Sequence, residues 1–279
     1  GYHWFTDWGR DSMIAIRGLG IAAGKQDVAR SVIATFLAFL NNGVIPNRFP
    51  DYQGEMAEYN TVDATLWLFV ALYEYDEKFR DTAFLEEVRP QLEEILQHHI
   101  KGTFHNIKVT EKGLLSQGAD GVALTWMDAR IDKVTFTPRY GCPVEVNALW
   151  YNALRVYEYV CGRLNVNCDK TYGKITAALE QNFSSWFWNR DGYFYDVVMP
   201  GRGADPSLRP NQIYALSLPF SPVAEKETSF ILESVRKNLL TPYGLRTLEP
   251  SHPDFKAEYT GDLWTRDSAY HQGTVWPFL

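Results

Sequence analysis

The chain has 279 residues, 46% of them hydrophobic and 22% charged, with a formal net charge of -7. That is enough apolar material for a large packed core, and it excludes long disorder. The acidic balance disfavours a nucleic-acid binder, and the longest apolar runs, such as Ala64–Tyr73, fall short of a membrane span.

Hydrophobic spacing predicts a helical chain with long loops. Ser12–Ala23 and Asp27–Asn42 read as two helices around Gly24-Lys25-Gln26. In the second, Val28, Val32, Phe36 and Phe39/Leu40 recur at helical spacing. Thr61–Phe79 is a third helix with Leu66, Phe69, Val70 and Tyr73 on one face. Phe84–Ile100 is a fourth, with Pro90 either tolerated near its first turn or kinking it. His105–Gln117 alternates around Glu111-Lys112-Gly113 and reads as a β-hairpin. Gly118–Cys142 is a long loop. Glu145–Leu164 and Tyr172–Trp188 are further helices, followed by a Gly/Pro-rich stretch over Pro200–Pro210. Gln212–Leu218 and Ala224–Leu239 are helical again, and Gly244–Gln272 has no clear period.

The repeating unit is helix, short turn, helix, long loop. Such hairpins close into a barrel whose long loops gather at one end, where function usually sits. About eight or nine helices fit, fewer than a six-hairpin ring needs. Polar–aromatic motifs run into both ends of the sequence, so a single barrel over residues 1–279, cut at both ends, is the expectation. Cys142, Cys161 and Cys168 are an odd set without CxxC spacing. They argue against a disulfide framework or a zinc site and for a reducing, cytoplasmic compartment. No basic, apolar leader pattern opens the sequence.

The 9 Trp, 16 Tyr and 16 Phe stock a core, but many lie beside Asp, Asn, Arg and Gln in irregular segments. Apolar rings with a few fixed polar groups suit a concave small-molecule site, and sugars in particular. Trp4–Asp11 holds Asp7, Trp8, Arg10 and Asp11 ahead of a helix. Asp11 there is a helix-capping residue with Arg10 as its ion partner, or the pair grips adjacent hydroxyls. Asn60 or Thr61 caps the third helix, just before Asp63. Asp128 beside Trp126 is either an exposed loop acid or a carboxyl group kept protonated by apolar surroundings, as a general acid requires. Glu145 favours the dipole at its helix start, with Asn147 close by. Arg209 and Asn211 flank Pro210 at another helix start, and His271-Gln272 stands in a Trp-containing loop. No HExxH, CxxC, EF-hand, P-loop, GxGxxG or nucleophile-elbow motif appears. Carboxylates and aromatics on a helical scaffold point to glycoside hydrolysis.

The set WFTDWGRD, GVIPNRF, YNTVDAT, LTWMDA, GCPVEVNALWYNAL, RPNQIYALSLP, GLRTLEP and RDSAYHQGTVWP, in order over residues 2–279, resembles the amylo-α-1,6-glucosidase domain of glycogen debranching enzymes of the bacterial or archaeal type. The resemblance implies an all-α, (α/α)6 six-hairpin toroid related to glucoamylase, here incomplete, with a small β-hairpin insertion. It implies inverting hydrolysis of the α-1,6-linked glucose at a glycogen branch point, with no cofactor or metal. Asp128 then matches the general acid, and Arg10 and Asp11 the pair that holds the terminal glucose. Asp7, Trp8, Asn60, Asp63, Trp126, Glu145, Asn147, Arg209, Asn211, His271 and Gln272 match positions expected to line the pocket. The family's base is expected in an acidic segment after HQGTVWP, beyond Leu279. Glu145, Glu249 and Glu258 are in-chain substitutes out of context, so the base stays unassigned. A glucoamylase- or trehalase-like exo-glycosidase and a non-catalytic glucan-binding fragment are the alternatives.

Overall fold

A computed structural model describes residues 6–50 and 54–277. Trp4 and Phe5 of the first motif and the last two residues lie outside them. The chain begins with α1 (Gly9–Ile16), a π-helical turn (Arg17–Ala22) and α2 (Gln26–Ala38). Next come α3 (Asp63–Phe79) and α4 (Thr82–Lys101). A 3₁₀ turn (Phe104–Asn106) leads to β1 (Lys108–Val109), β2 (Leu115–Ser116), β3 (Arg130–Ile131), β4 (Val134–Thr135) and β5 (Cys142–Pro143). Then follow α5 (Val144–Leu164), α6 (Lys170–Phe187), β6 (Val197–Met199) and β7 (Gly203–Asp205). The last part holds a 3₁₀ turn (Pro210–Gln212), α7 (Ile213–Ser217), α8 (Glu225–Asn238), β8 (Leu240–Thr241), β9 (Gly244–Arg246), α9 (Leu263–Ala269) and β10 (Val275–Trp276).

The helices pack in two layers. α1, α3, α5 and α7 lie side by side on the inside, while α2, α4, α6 and α8 each pack on their hairpin partner. This is the expected (α/α) toroid arrangement; the described helices do not close a ring. Layering explains the burial patterns. α3 is an inner helix, buried almost all round through Leu72, whereas one buried face was predicted. α2 is an outer helix with one buried face, made by Ala29, Ile33, Phe36 and Leu37. That face lies one position on from the predicted stripe, and Val28 is exposed. α4 starts at Thr82 because the Asp81 carboxylate accepts the Phe84 N–H at 3.0 Å, so Pro90 falls in the helix interior.

Two expectations are corrected. The predicted hairpin forms as β1–β2, but three more antiparallel ribbons appear: β3–β4, β5–β6–β7 and β10–β9–β8. Their strands are two or three residues long and too short to show a period. Cys161 and Cys168 are joined in a disulfide across the α5–α6 turn, and Cys142 is buried and free. Cysteine usage therefore no longer argues for a reducing compartment. No described helix is long and apolar enough to cross a membrane.

Candidate active site

Each hairpin reverses the chain, so the inner helices run the same way and begin at one end. That end carries the chemistry. Arg10 is in the first turn of α1, Asp63 opens α3, Glu145 is in the first turn of α5, and Arg209 and Asn211 precede α7. The long α4–α5 connection crosses the same end and brings in Asp128.

Arg10 is the centre. Its Nε donates to both Asp63 carboxylate oxygens at 2.9 Å, its Nη1 to Asp128 Oδ2 at 3.0 Å, and its Nη2 to Thr61 Oγ1 at 3.4 Å. The N-cap of α3 is Val62, with no side-chain cap, and not Asn60 or Thr61 as expected; Thr61 Oγ1, one residue earlier, accepts the Ala64 N–H and donates to Asp63. Arg10 pairs with Asp63 and Asp128, not with Asp11 as the capping alternative holds. Burial works against the Arg10 charge, but Asp63 and Asp128 outweigh it and hold the guanidinium protonated. Asp128 keeps 35% of its side chain open. Desolvation raises its carboxyl group above the ordinary range; Arg10 opposes this and Asp63 adds to it.

Asp128 and Arg10 face a cavity of about 530 Å³. Trp8, Asp11, Trp126 and His271 line it too, together with Ile14, Ala15, Tyr270 and Trp276. The rings interlock. His271 stacks on Trp276 with centroids 5.6 Å apart, and Trp126 meets His271 and Trp276 edge-on at 5.4 and 5.8 Å. Burial, with Arg209, Arg10 and Arg139 adding like charge, pushes His271 well below the usual histidine range. The ring is neutral and its Nδ1 accepts the Ala129 N–H at 3.4 Å, which leaves the proton on Nε2.

The other predicted residues do not line this cavity. Glu145 lies beneath it, where the Arg139 guanidinium donates to both its carboxylate oxygens and to both oxygens of Asp196. Arg139 Nη1 also reaches Thr125 Oγ1 at 3.3 Å, at the start of the Asp128 loop. Asn211 joins Asp196 to Trp126: its amide donates to Asp196 at 2.7 Å and its Oδ1 accepts the indole N–H at 2.7 Å. Arg209 lies 3.6 Å from Asp196 and donates to the Thr247 and His271 carbonyls and to Gln272 Oε1. Gln272 in turn donates to the Phe136 carbonyl. Asn147 is engaged elsewhere, exchanging two hydrogen bonds with Leu115 and pinning β2 to α5. Asp63 is buried behind Arg10, Asp7 accepts the Phe49 N–H through its carbonyl, and Asn60 faces a neighbouring cavity. Glu249 and Glu258 do not line the main cavity either. Arg139 and Asp196 were not singled out from sequence; a buried pair of this kind has no local motif. Tyr270 and Trp276 lay inside a quoted motif and were not selected from it.

The carboxylates on the cavity wall are Asp11 and Asp128. Among the described residues no group of three or more His, Cys, Asp or Glu side chains is placed to hold a metal ion. The arrangement offers one acid of raised proton affinity, a ring-lined hollow and fixed polar groups.

The chain is 26% identical over 368 residues to the glycogen debranching enzyme of Saccharomyces cerevisiae, covering 98% of this chain and 23% of that protein. The chain thus spans under a quarter of that relative's length. Among solved structures, a GH63 mannosylglycerate hydrolase from Thermus thermophilus superposes with a TM-score of 0.70 at 12% identity, covering 97% of this chain and 78% of that one. A rhamnosidase from Klebsiella oxytoca superposes with a TM-score of 0.63 at 12% identity, covering 84% and 42%. At such identities these structures speak for the fold alone. The profile of the amylo-alpha-1,6-glucosidase family matches residues 1–279, and the chain belongs to that glycoside hydrolase family.

Proposed function

We propose that this chain carries the catalytic barrel of a debranching glucosidase, which hydrolyses the α-1,6-linked glucose at a glycogen branch point with inversion. The observation that carries the reading is Asp128: an acid with a raised proton affinity, held by Arg10 at the edge of a ring-lined cavity. A general acid has to arrive protonated and stay within reach of the leaving oxygen. Trp8, Trp126 and Trp276 offer apolar faces to the sugar C–H groups, and Asp11 and the His271 Nε2–H supply an acceptor and a donor for hydroxyls. Inversion also needs a second carboxylate, roughly 6.5–9.5 Å from the first, with a water between them. Glu145 is closed off by Arg139, and the base is left unassigned. Glycogen or another branched α-glucan is then the partner, and a cytoplasmic role in its breakdown goes with that reading alone.

The test is glucose release from branched limit dextrin by the full-length protein. Asp128→Asn is expected to lower kcat by roughly 10²–10⁴, the usual worth of acid catalysis. Near-normal turnover of that substrate by the variant refutes the assignment. Release from linear maltose or trehalose, and not from limit dextrin, favours the other exo-glycosidases of this scaffold.

A further inference from the structure

Beside the main cavity lies a second one of about 760 Å³, which nothing in the proposed chemistry uses. Tyr59, Phe104 and His105 form a shelf along it. The Tyr59 and Phe104 rings are 5.9 Å apart and inclined by 31°, and His105 follows Phe104 at 6.3 Å. The shelf is fixed. The Tyr59 hydroxyl donates to the Phe39 carbonyl at 2.9 Å. His105 and Asn106 are successive non-glycine residues in the left-handed region, with φ of 54° and 58°. Gly118 holds them there, its N–H donating to the His105 carbonyl and its carbonyl accepting from Asn106. Held backbone strain of this kind gathers at ligand clamps. Asn41, Asn60 and Arg130 line the same cavity. The Asn60 Oδ1 accepts from Asn47, which leaves its amide nitrogen for a ligand hydroxyl, and Arg130 is exposed.

Two features tie this cavity to the first. Trp8 pairs with Arg48 and Arg48 with Glu58 in a short antiparallel ladder. Trp8 lines the main cavity and Glu58 the second, so two ladder spacings, roughly 10 Å, separate them. The acid loop spans the same gap, with Asp128 in the main cavity and Arg130 in the second. A general acid protonates the oxygen that leaves, so the leaving group begins at Asp128.

We propose that the second cavity binds the α-glucan chain that departs as leaving group, with Tyr59, Phe104 and His105 stacking its sugar faces and Asn60 and Arg130 taking its hydroxyls. The inference rests on the reading of Asp128 as the acid. It gives a polymer-sized leaving group a place next to the cavity that holds the acid.

The experiment compares two substrates of the full-length protein. Branched limit dextrin has a glucan leaving group; α-glucosyl fluoride has only fluoride. Phe104→Ala is expected to lower the ratio of kcat/KM for dextrin over fluoride roughly tenfold, the loss typical of truncating an aromatic anchor. Arg130→Ala, at an exposed position, is expected to lower it in the same direction. An unchanged ratio in both folded variants overturns the proposal. Calorimetry of linear maltoheptaose with the Asp128→Asn protein gives a second reading that needs no turnover. Weaker binding on adding Phe104→Ala supports the cavity, and equal binding overturns it. Should the unaltered protein release glucose from neither substrate, the glucosidase reading falls, and the maltoheptaose measurement still decides whether the second cavity binds glucan.

Discussion

Arg10 was expected to grip sugar hydroxyls, yet its three nitrogens are engaged by Asp63, Asp128 and Thr61. Its structural role is to fix Asp128 in place and set its charge, and this leads to a pH prediction. Asp63 raises the proton affinity of Asp128 through like charge, and Arg10 lowers it. Asp63→Asn removes the first effect and leaves Arg10 with Asp128 as its one anionic partner, so both changes lower the affinity. An acid works protonated, and activity falls as pH rises through its titration. The alkaline limb of kcat/KM is therefore expected to move to lower pH in Asp63→Asn. A pH–rate profile checks this, and a shift to higher pH or none refutes it. The Arg10–Asp128 pair was legible in part, because both residues stand in polar–aromatic segments. Arg139 and Asp196 were not, because an arginine in a loop reads as exposed until its partners are known.

At the scale of elements, the long helices were legible from their period, and the two- and three-residue ribbons were not. The start of α1 shows what sequence conceals. Gly9 reads as a loop glycine, but its N–H donates to the Asn47 carbonyl at 2.8 Å, and a Cβ there would stand 2.1 Å from the Pro46 carbonyl oxygen. That oxygen is backbone and cannot swing away. Gly9→Ala must push α1 off the Ile45–Asn47 segment, and Trp8 and Arg10 move with it. Overpacking of this kind costs about 1–3 kcal/mol. Calorimetric unfolding is expected to show a lower Tm, and the displaced Arg10 a lower kcat/KM on limit dextrin. Wild-type values for both would show that the approach is looser than the geometry states.

Across the whole molecule, the inner helices bring their first turns to one end, and the charges they carry are balanced in pairs. Beneath the cavity floor Arg139 and Arg209 face Glu145 and Asp196, two cations against two anions, all buried. The cluster ties the acid loop through Thr125, α5 through Glu145, β6 through Asp196, and the C-terminal third through Arg209 and Gln272. Burial pushes Arg209 below its usual range and Asp196 opposes that, while Arg139 repels it. Asp196→Ala leaves two buried guanidinium groups against one carboxylate, and breaking such a pair costs about 3–5 kcal/mol. Replacing Arg209 by Met as well restores charge balance, one cation against one anion. The double variant Asp196→Ala/Arg209→Met is therefore expected to be more stable than the sum of the single losses, by roughly 0.5–3 kcal/mol of coupling. Urea unfolding of the four proteins measures this, and strict additivity refutes it. The same series reaches the cavity. Asn211 loses its Asp196 acceptor and with it the fixed partner of the Trp126 indole, so tryptophan fluorescence is expected to change in both Asp196 variants and to stay near wild type in Arg209→Met alone.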